Sequence, residues 1–153
     1  MKHSGTIFST ILCLLTSTFL FFNGCGNSTG ETVTTSPPTR IQNPLFQDIT
    51  PAEAHSIITL NAGQTNFVIL DVRTPEEFTS GHIQNAMNVD YHAPTFKDAI
   101  NKFKKNDVYL VYCRTGHRSD LASDIMKNLG FTQIYNMTGG ITDWTALGFP
   151  VVK

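Results

Sequence analysis

Val108-Tyr109-Leu110-Val111-Tyr112-Cys113-Arg114-Thr115-Gly116-His117-Arg118-Ser119 is an apolar run that ends on a thiol and then turns abruptly polar. The run Val108 to Tyr112 has no polar alternation, which predicts a strand covered on both faces, as in a parallel sheet between helices. The glycine and the closing arginine predict a short loop leading into a helix. Cys113 therefore stands at the carboxyl end of a buried strand. A loop of this kind can turn several backbone N–H groups towards the sulfur, and a helix N-terminus adds positive potential. Both favour the thiolate. An ordinary thiol with a pKa of about 8.5 is barely ionised at neutral pH, and lowering it to about 7 takes roughly 2 kcal/mol of differential stabilisation. A ring of amides, a helix terminus and one arginine can supply that. A lone cysteine after an apolar run is otherwise a packing residue, but two arginines and a histidine have no use at an apolar packing site. Cys113 reads as a reactive cysteine.

Working outward, strand and helix patterns alternate. Thr50-Pro51-Ala52-Glu53 has the form of a capping box with proline at the first helical position, opening a helix to about Asn61, and Thr74-Pro75-Glu76-Glu77 repeats the form. Asn66 to Asp71 is a second buried strand and Ala86 to Val89 a short one. A helix from Thr95 to Phe103 precedes the Cys113 strand; another from Leu121 to Leu129 stops at Gly130. Gln133 to Tyr135 is a further strand, and Ile141 to Leu147 a last helix. The alternation predicts an α/β fold with a mostly parallel central sheet flanked by helices on both faces. In such folds ligands sit at the carboxyl ends of the strands.

Three segments, in order, resemble the rhodanese family of sulfurtransferases in its single-domain form. Asp71-Val72-Arg73, Glu77-Phe78, Gly81-His82-Ile83, Ala86 and Asn88-Val89 are similar to its first signature. Cys113 to Ser119 is similar to its active-site loop. Asn136-Met137-Thr138-Gly139-Gly140-Ile141, Trp144 and Gly148-Phe149-Pro150-Val151 are similar to its C-terminal pattern. The resemblance spans residues 46–153. It implies a rhodanese-like fold and a catalytic Cys113 that takes a sulfane sulfur from a donor such as thiosulfate, becomes a persulfide and hands the sulfur to a thiol or cyanide. It also implies substrate binding by Arg114, Thr115, Gly116, His117 and Arg118, whose amides and charge would hold the persulfide and the anionic donor. His117 reads equally as a donor-tuning residue or a solvent-facing spacer.

Other residues of the first signature read as supports. Asp71 and Arg73 fit an ion pair at a neighbouring strand end, Glu77 a capping carboxylate, and His82 an orienting hydrogen bond in a turn. Gly139 and Gly140 suit a tight turn and Trp144 a core position. Two rival functions share the scaffold: a non-catalytic binding or sulfide-sensing module, and a phosphatase or arsenate reductase with a Cys-loop-Arg cradle. Such cradles hold five residues between Cys and Arg; here four separate Cys113 from Arg118, a tighter ring suited to one sulfur atom.

Composition bounds the rest. The 153 residues carry 11 Lys and Arg against 12 Asp and Glu, a net charge of -1, so nothing in the charge balance points to nucleic acid. Lys97, Lys102, Lys104 and Lys105 read as the solvated face of an amphipathic helix built on Phe96, Ile100 and Phe103. Residues 1–24 have the charged start and apolar core of a signal peptide. Phe22-Asn23-Gly24-Cys25 resembles a bacterial lipobox, which implies lipidation at Cys25, although Leu is usual at the first position and a small residue at the second. Residues 25–45, rich in Ser, Thr, Pro and Gly, read as a flexible tether. The expectation is an exported domain on the periplasmic side of the cell envelope, held to a membrane by lipid, with no cofactor and no metal; an uncleaved anchor helix, and cleavage elsewhere to give a soluble secreted protein, are the rival readings of the same segment. Of three cysteines only Cys113 falls in the domain, so no intramolecular disulfide is available to it.

Overall fold

The computed structural model describes residues 45–153, so the signal segment 1–24, Cys25 and the tether as far as residue 44 lie outside the described residues. The elements run β1 (Leu45–Ile49), α1 (Pro51–Leu60), β2 (Phe67–Asp71), α2 (Pro75–Ser80), β3 (Met87–Asn88), α3 (Phe96–Asn101), β4 (Val108–Tyr112), α4 (His117–Asn128), β5 (Gln133–Met137) and α5 (Gly140–Ala146). The five strands form one sheet in the order β1-β5-β4-β2-β3, and every strand pair is parallel. An isolated antiparallel bridge joins His82 to Val152.

Strand periodicity sorts the core into two layers. Tyr109 and Val111 of β4, with Leu70 of β2, pack against Phe96 and Ile100 of α3 and Ala122 and Met126 of α4. Leu110 and Tyr112, with Ile69 and Met137, pack on the other face against Ala54 of α1 and Ile141 and Trp144 of α5. Cys113 continues the Tyr109–Val111 row and so belongs to the α4 layer. That parity brings its sulfur beneath the first turn of α4.

Both capping boxes form. Thr50 and Thr74 accept from the amides of Glu53 and Glu77, and each glutamate reaches back to its threonine's amide. Where the structure departs from the sequence reading, the reasons are physical. β1 is absent from that reading, and Leu45, assigned to the tether, is its first residue: only Ile49 of this edge strand is buried, so it carries no apolar signature. α4 begins at His117, four positions before the expected Leu121, because its polar first turn caps a strand end and has little apolar surface to show. α3 is confined to Phe96–Asn101, and β5 runs on to Met137.

Candidate active site

Three adjacent strands deliver the site. β2 and β4 are neighbours with Asp71 opposite Tyr112, and β5 lies on the far side of β4. The loops after all three therefore meet at one end of the sheet. Cys113 follows β4 directly and is 1% exposed. The Gly116 amide donates to its Sγ at 3.2 Å. Gly116 is the N-cap of α4 in the left-handed region, φ 101°. A Cβ there would be strained and would meet the Gly139 amide at 3.2 Å, so glycine both closes the loop and lets it approach the next one.

Burial pushes the Cys113 thiol up, but the amides of Ser119, Thr115 and Gly116 face the sulfur and the balance holds it below the ordinary thiol value. The Ser119 hydroxyl is also close to the sulfur. Its single proton, however, goes to the Gly116 carbonyl at 2.9 Å, which leaves the amides as the donors. Ser119 is the residue that the sequence reading missed. With α4 starting at His117 it is the third helical residue, whose N–H has no partner within the helix and points out of the terminus. An earlier helix start was the signal that would have found it.

Arg118, half-buried, is the second residue of α4. Its guanidinium is held by Glu77 in a two-pronged pair, Nη1 to Oε2 at 2.7 Å and Nη2 to Oε1 at 2.8 Å. Glu77, with the Cys113 sulfur as a lesser contributor, raises the Arg118 pKa above its ordinary value. Arg118 in turn is the main cause that brings the Glu77 carboxyl down to about 2. Glu77 is thus both the cap of α2 and the anchor of Arg118. The pair is electrically neutral as a unit.

Asp71 and Arg73 are buried and bound to each other, with Arg73 Nη2 at 2.6 Å from Asp71 Oδ2 and 2.7 Å from the Gly81 carbonyl. They brace the β2 loop from beneath. His82 Nδ1 lies 3.1 Å from the Phe78 carbonyl and its ring stacks on Phe78. It is not among the groups around the sulfur. Thr115 contributes its amide, while the Arg114, Thr115 and His117 side chains are exposed.

The loop is fastened from the β5 side. Ile141 and Thr142, in the first turn of α5, donate to the carbonyls of Cys113 (2.9 Å) and Arg114 (3.1 Å). Gly140 makes this possible. Its φ is 58°, and a Cβ would collide with the Cys113 carbonyl oxygen and lie 2.6 Å from the Arg114 carbonyl. Beside the loop opens a cleft of about 420 Å³ whose wall includes Arg114, Glu77, Ile141, Thr142, Thr145 and Val151.

Residues 50–147 match the family described as Rhodanese-like domain. The chain belongs to that family. Among relatives of the rhodanese-like domain, the thiosulfate sulfurtransferase GlpE of Stutzerimonas stutzeri is 34% identical over 99 residues, 65% of this chain and 84% of its own. The thiosulfate sulfurtransferase PspE of Escherichia coli is 34% identical over 84 residues, covering 55% and 77%. A senescence-associated protein of Raphanus sativus and a chloroplastic rhodanese-like protein of Arabidopsis thaliana are each 36% identical over 98 residues, and this chain spans only 54% of their length. Among solved structures, a rhodanese-related protein from Thermoplasma volcanium aligns with TM-score 0.60 at 29% identity, over 69% of this chain and 97% of that one. A rhodanese-like domain protein from Staphylococcus aureus gives TM-score 0.55 at 31% identity, over 64% and 90%.

Proposed function

We propose that this rhodanese-like domain is a sulfurtransferase working through a Cys113 persulfide. The observation that carries the reading is a thiol beneath a helix N-terminus, faced by the amides of Thr115, Gly116 and Ser119 and held below its ordinary pKa. The thiolate attacks the outer sulfur of a donor such as thiosulfate. A new S–S bond forms, the donor's S–S bond breaks, and sulfite leaves with the electron pair. The persulfide's terminal sulfur then passes to cyanide or to a thiol, and the Cys113 thiolate is restored. Amides aimed at the sulfur supply the charge stabilisation without any movement of charged side chains. Relatives named thiosulfate sulfurtransferase support this assignment.

The experiment is the mass of the purified protein after thiosulfate. The expected result is a gain of one sulfur atom, reversed by cyanide and absent from Cys113→Ser. Persistent turnover in that variant would overturn the mechanism. Loading without release to any acceptor would instead mark a sulfide-sensing module. Faster hydrolysis of aryl phosphates than sulfur transfer would favour the phosphatase reading, against which stands the four-residue spacing from Cys113 to Arg118.

For placement, we infer export to the cell envelope with lipidation at Cys25, on the strength of the apolar segment and the Phe22-Asn23-Gly24-Cys25 sequence. Two acyl chains, at about 0.8 kcal/mol per buried methylene, would anchor the domain stably. Fractionation should find the wild type in membranes and Cys25→Ala either unprocessed or released. A soluble mature form starting beyond Cys25 would remove the anchor and leave the chemistry standing.

A further inference from the structure

A second, smaller cavity of about 100 Å³ is walled by β1, β5 and α4, and it shares no lining residue with the cleft beside the loop. Asp48 and Asn136 stand opposite each other in the β1–β5 register. They share a face of the sheet with Ile134, which packs in the α4 layer. From α4 come Asp120, Ser123 and Lys127, spaced along one side of the helix.

Asn136 is 6% exposed, and its Oδ1 is a buried acceptor with no hydrogen-bond partner among the described residues. The other end of the amide is fixed, because Nδ2 donates to Asp48 Oδ1 at 2.9 Å. Turning the amide over would set its oxygen against a carboxylate, so the orphan cannot be relieved that way. A buried carbonyl left without a partner is costly and rare in native proteins. The atom calls for a positive charge or a donor. Lys127 is committed elsewhere: its Nζ pairs with Asp124 at 3.0 Å and lies 5.4 Å from the centre of the Phe46 ring. Asp48 and Asp120, meanwhile, form no ion pair among the described residues.

The donor set selects the partner. Two carboxylates, an amide oxygen and the Ser123 hydroxyl are hard oxygens, and no imidazole or thiolate lines the cavity. Such a set suits calcium rather than zinc or copper. The two carboxylates balance a divalent charge, and the volume leaves room for about two waters in the coordination shell. We propose that this cavity is a calcium site, formed by Asp48, Asp120 and the Asn136 carbonyl, which ties the edge strand β1 to α4. The Ser123 hydroxyl donates to the Ser119 carbonyl at 2.7 Å and offers its lone pairs to the ion. No cluster of three or more acidic, histidine or cysteine side chains able to hold a metal occurs among the described residues, so affinity is low, about 10⁻⁴–10⁻³ M. The site stands independently of the sulfurtransferase reading. The sequence, which suggested no metal, had no means of showing it: Asp48 and Asn136 are 88 positions apart.

The test strips the purified full chain with a chelator, then measures calcium binding by equilibrium dialysis and thermal melting with about 10 mM calcium chloride, well above the expected Kd. Sodium chloride at equal ionic strength controls for screening. The expected result is about one calcium per chain and a Tm about 5 °C or more above the sodium control. Asn136→Leu keeps the side-chain size and deletes the carbonyl; Asp120→Asn, at an exposed position, removes one charge. Each should bind calcium at least tenfold more weakly and lose most of the calcium-dependent rise, while still melting cooperatively in sodium. Asn136→Asp adds a carboxylate and should bind severalfold more tightly. If Asn136→Leu does not melt cooperatively, Asp120→Asn decides. No calcium bound by the wild type, a rise matched by sodium chloride, or undiminished binding in the folded variants would overturn the site and leave the cavity to water.

Discussion

Replacing Gly140 by alanine sets a methyl group against the carbonyls of Cys113 and Arg114 and forces an L residue to hold φ 58°. The left-handed conformation alone costs an alanine about 1 kcal/mol, and the collision adds to it. The expected outcome is a stability loss of about 1–3 kcal/mol by denaturant titration, together with a fall in sulfur loading well beyond what that loss explains. The displaced segment carries the thiol itself. Activity that tracks the folded fraction would show that the α5 contact is only structural. The thiol makes a second residue-scale prediction. Because its amide partners hold it below the ordinary value, the rate of alkylation by iodoacetamide should rise with pH at a midpoint below that of a free cysteine. The sign follows for stability: a lowered folded pKa contributes stability above the unfolded thiol's value, and that contribution disappears as pH falls through the folded value. The thiol, its loop and the role of glycine in it were legible in the sequence, since residue types and local spacing carry them. Ser119 was not, because its role belongs to its amide and depends on where α4 begins.

Among the elements, α2 and α4 communicate through Glu77 and Arg118, which are 41 positions apart. A capping box is a local pattern, so Thr74 to Glu77 announced itself. The pair with Arg118 arises only once β2 and β4 lie side by side, and local sequence has no trace of it. Glu77→Gln should retain most of the cap, because glutamine serves at that position too. It should lose the charge that fixes Arg118 over the loop. Sulfur loading is expected to fall by about tenfold to a hundredfold, the scale at which small misplacements act. The pH dependence provides the check. The Glu77 carboxyl lies at about 2 in the folded protein against 4.5 unperturbed, so its stabilisation is fully present above about pH 4.5 and fades as pH falls towards 2. The variant should lack that acid-side component in melts taken across this window. An unchanged profile would remove Glu77 from the account.

Over the whole molecule, the parallel sheet and its two helical layers followed from continuous apolar runs alternating with capped helices. β1 escaped because an edge strand buries little: Leu45 and Phe46 are 36% and 40% exposed, and a partner far along the chain defines the strand. That partner is β5, with Leu45 opposite Gln133 and Ile49 opposite Met137. β5 also separates β1 from every other strand. Removing residues 133–153 should therefore leave β1 with nothing to pair to and strip the loop of its α5 fastening. The expected product is a chain without a cooperative melt. A truncated form that still melts sharply would show that β2, β3 and β4 suffice as a nucleus. The same pairing sets an order of events for a polypeptide that emerges amino end first. The strand made earliest has no strand to pair with until β5, near the end of the domain, has been synthesised, and the loop after Cys113 gains its fastening from α5 only after that. A half-made chain thus carries the cysteine before it carries the contacts that shape the loop around it.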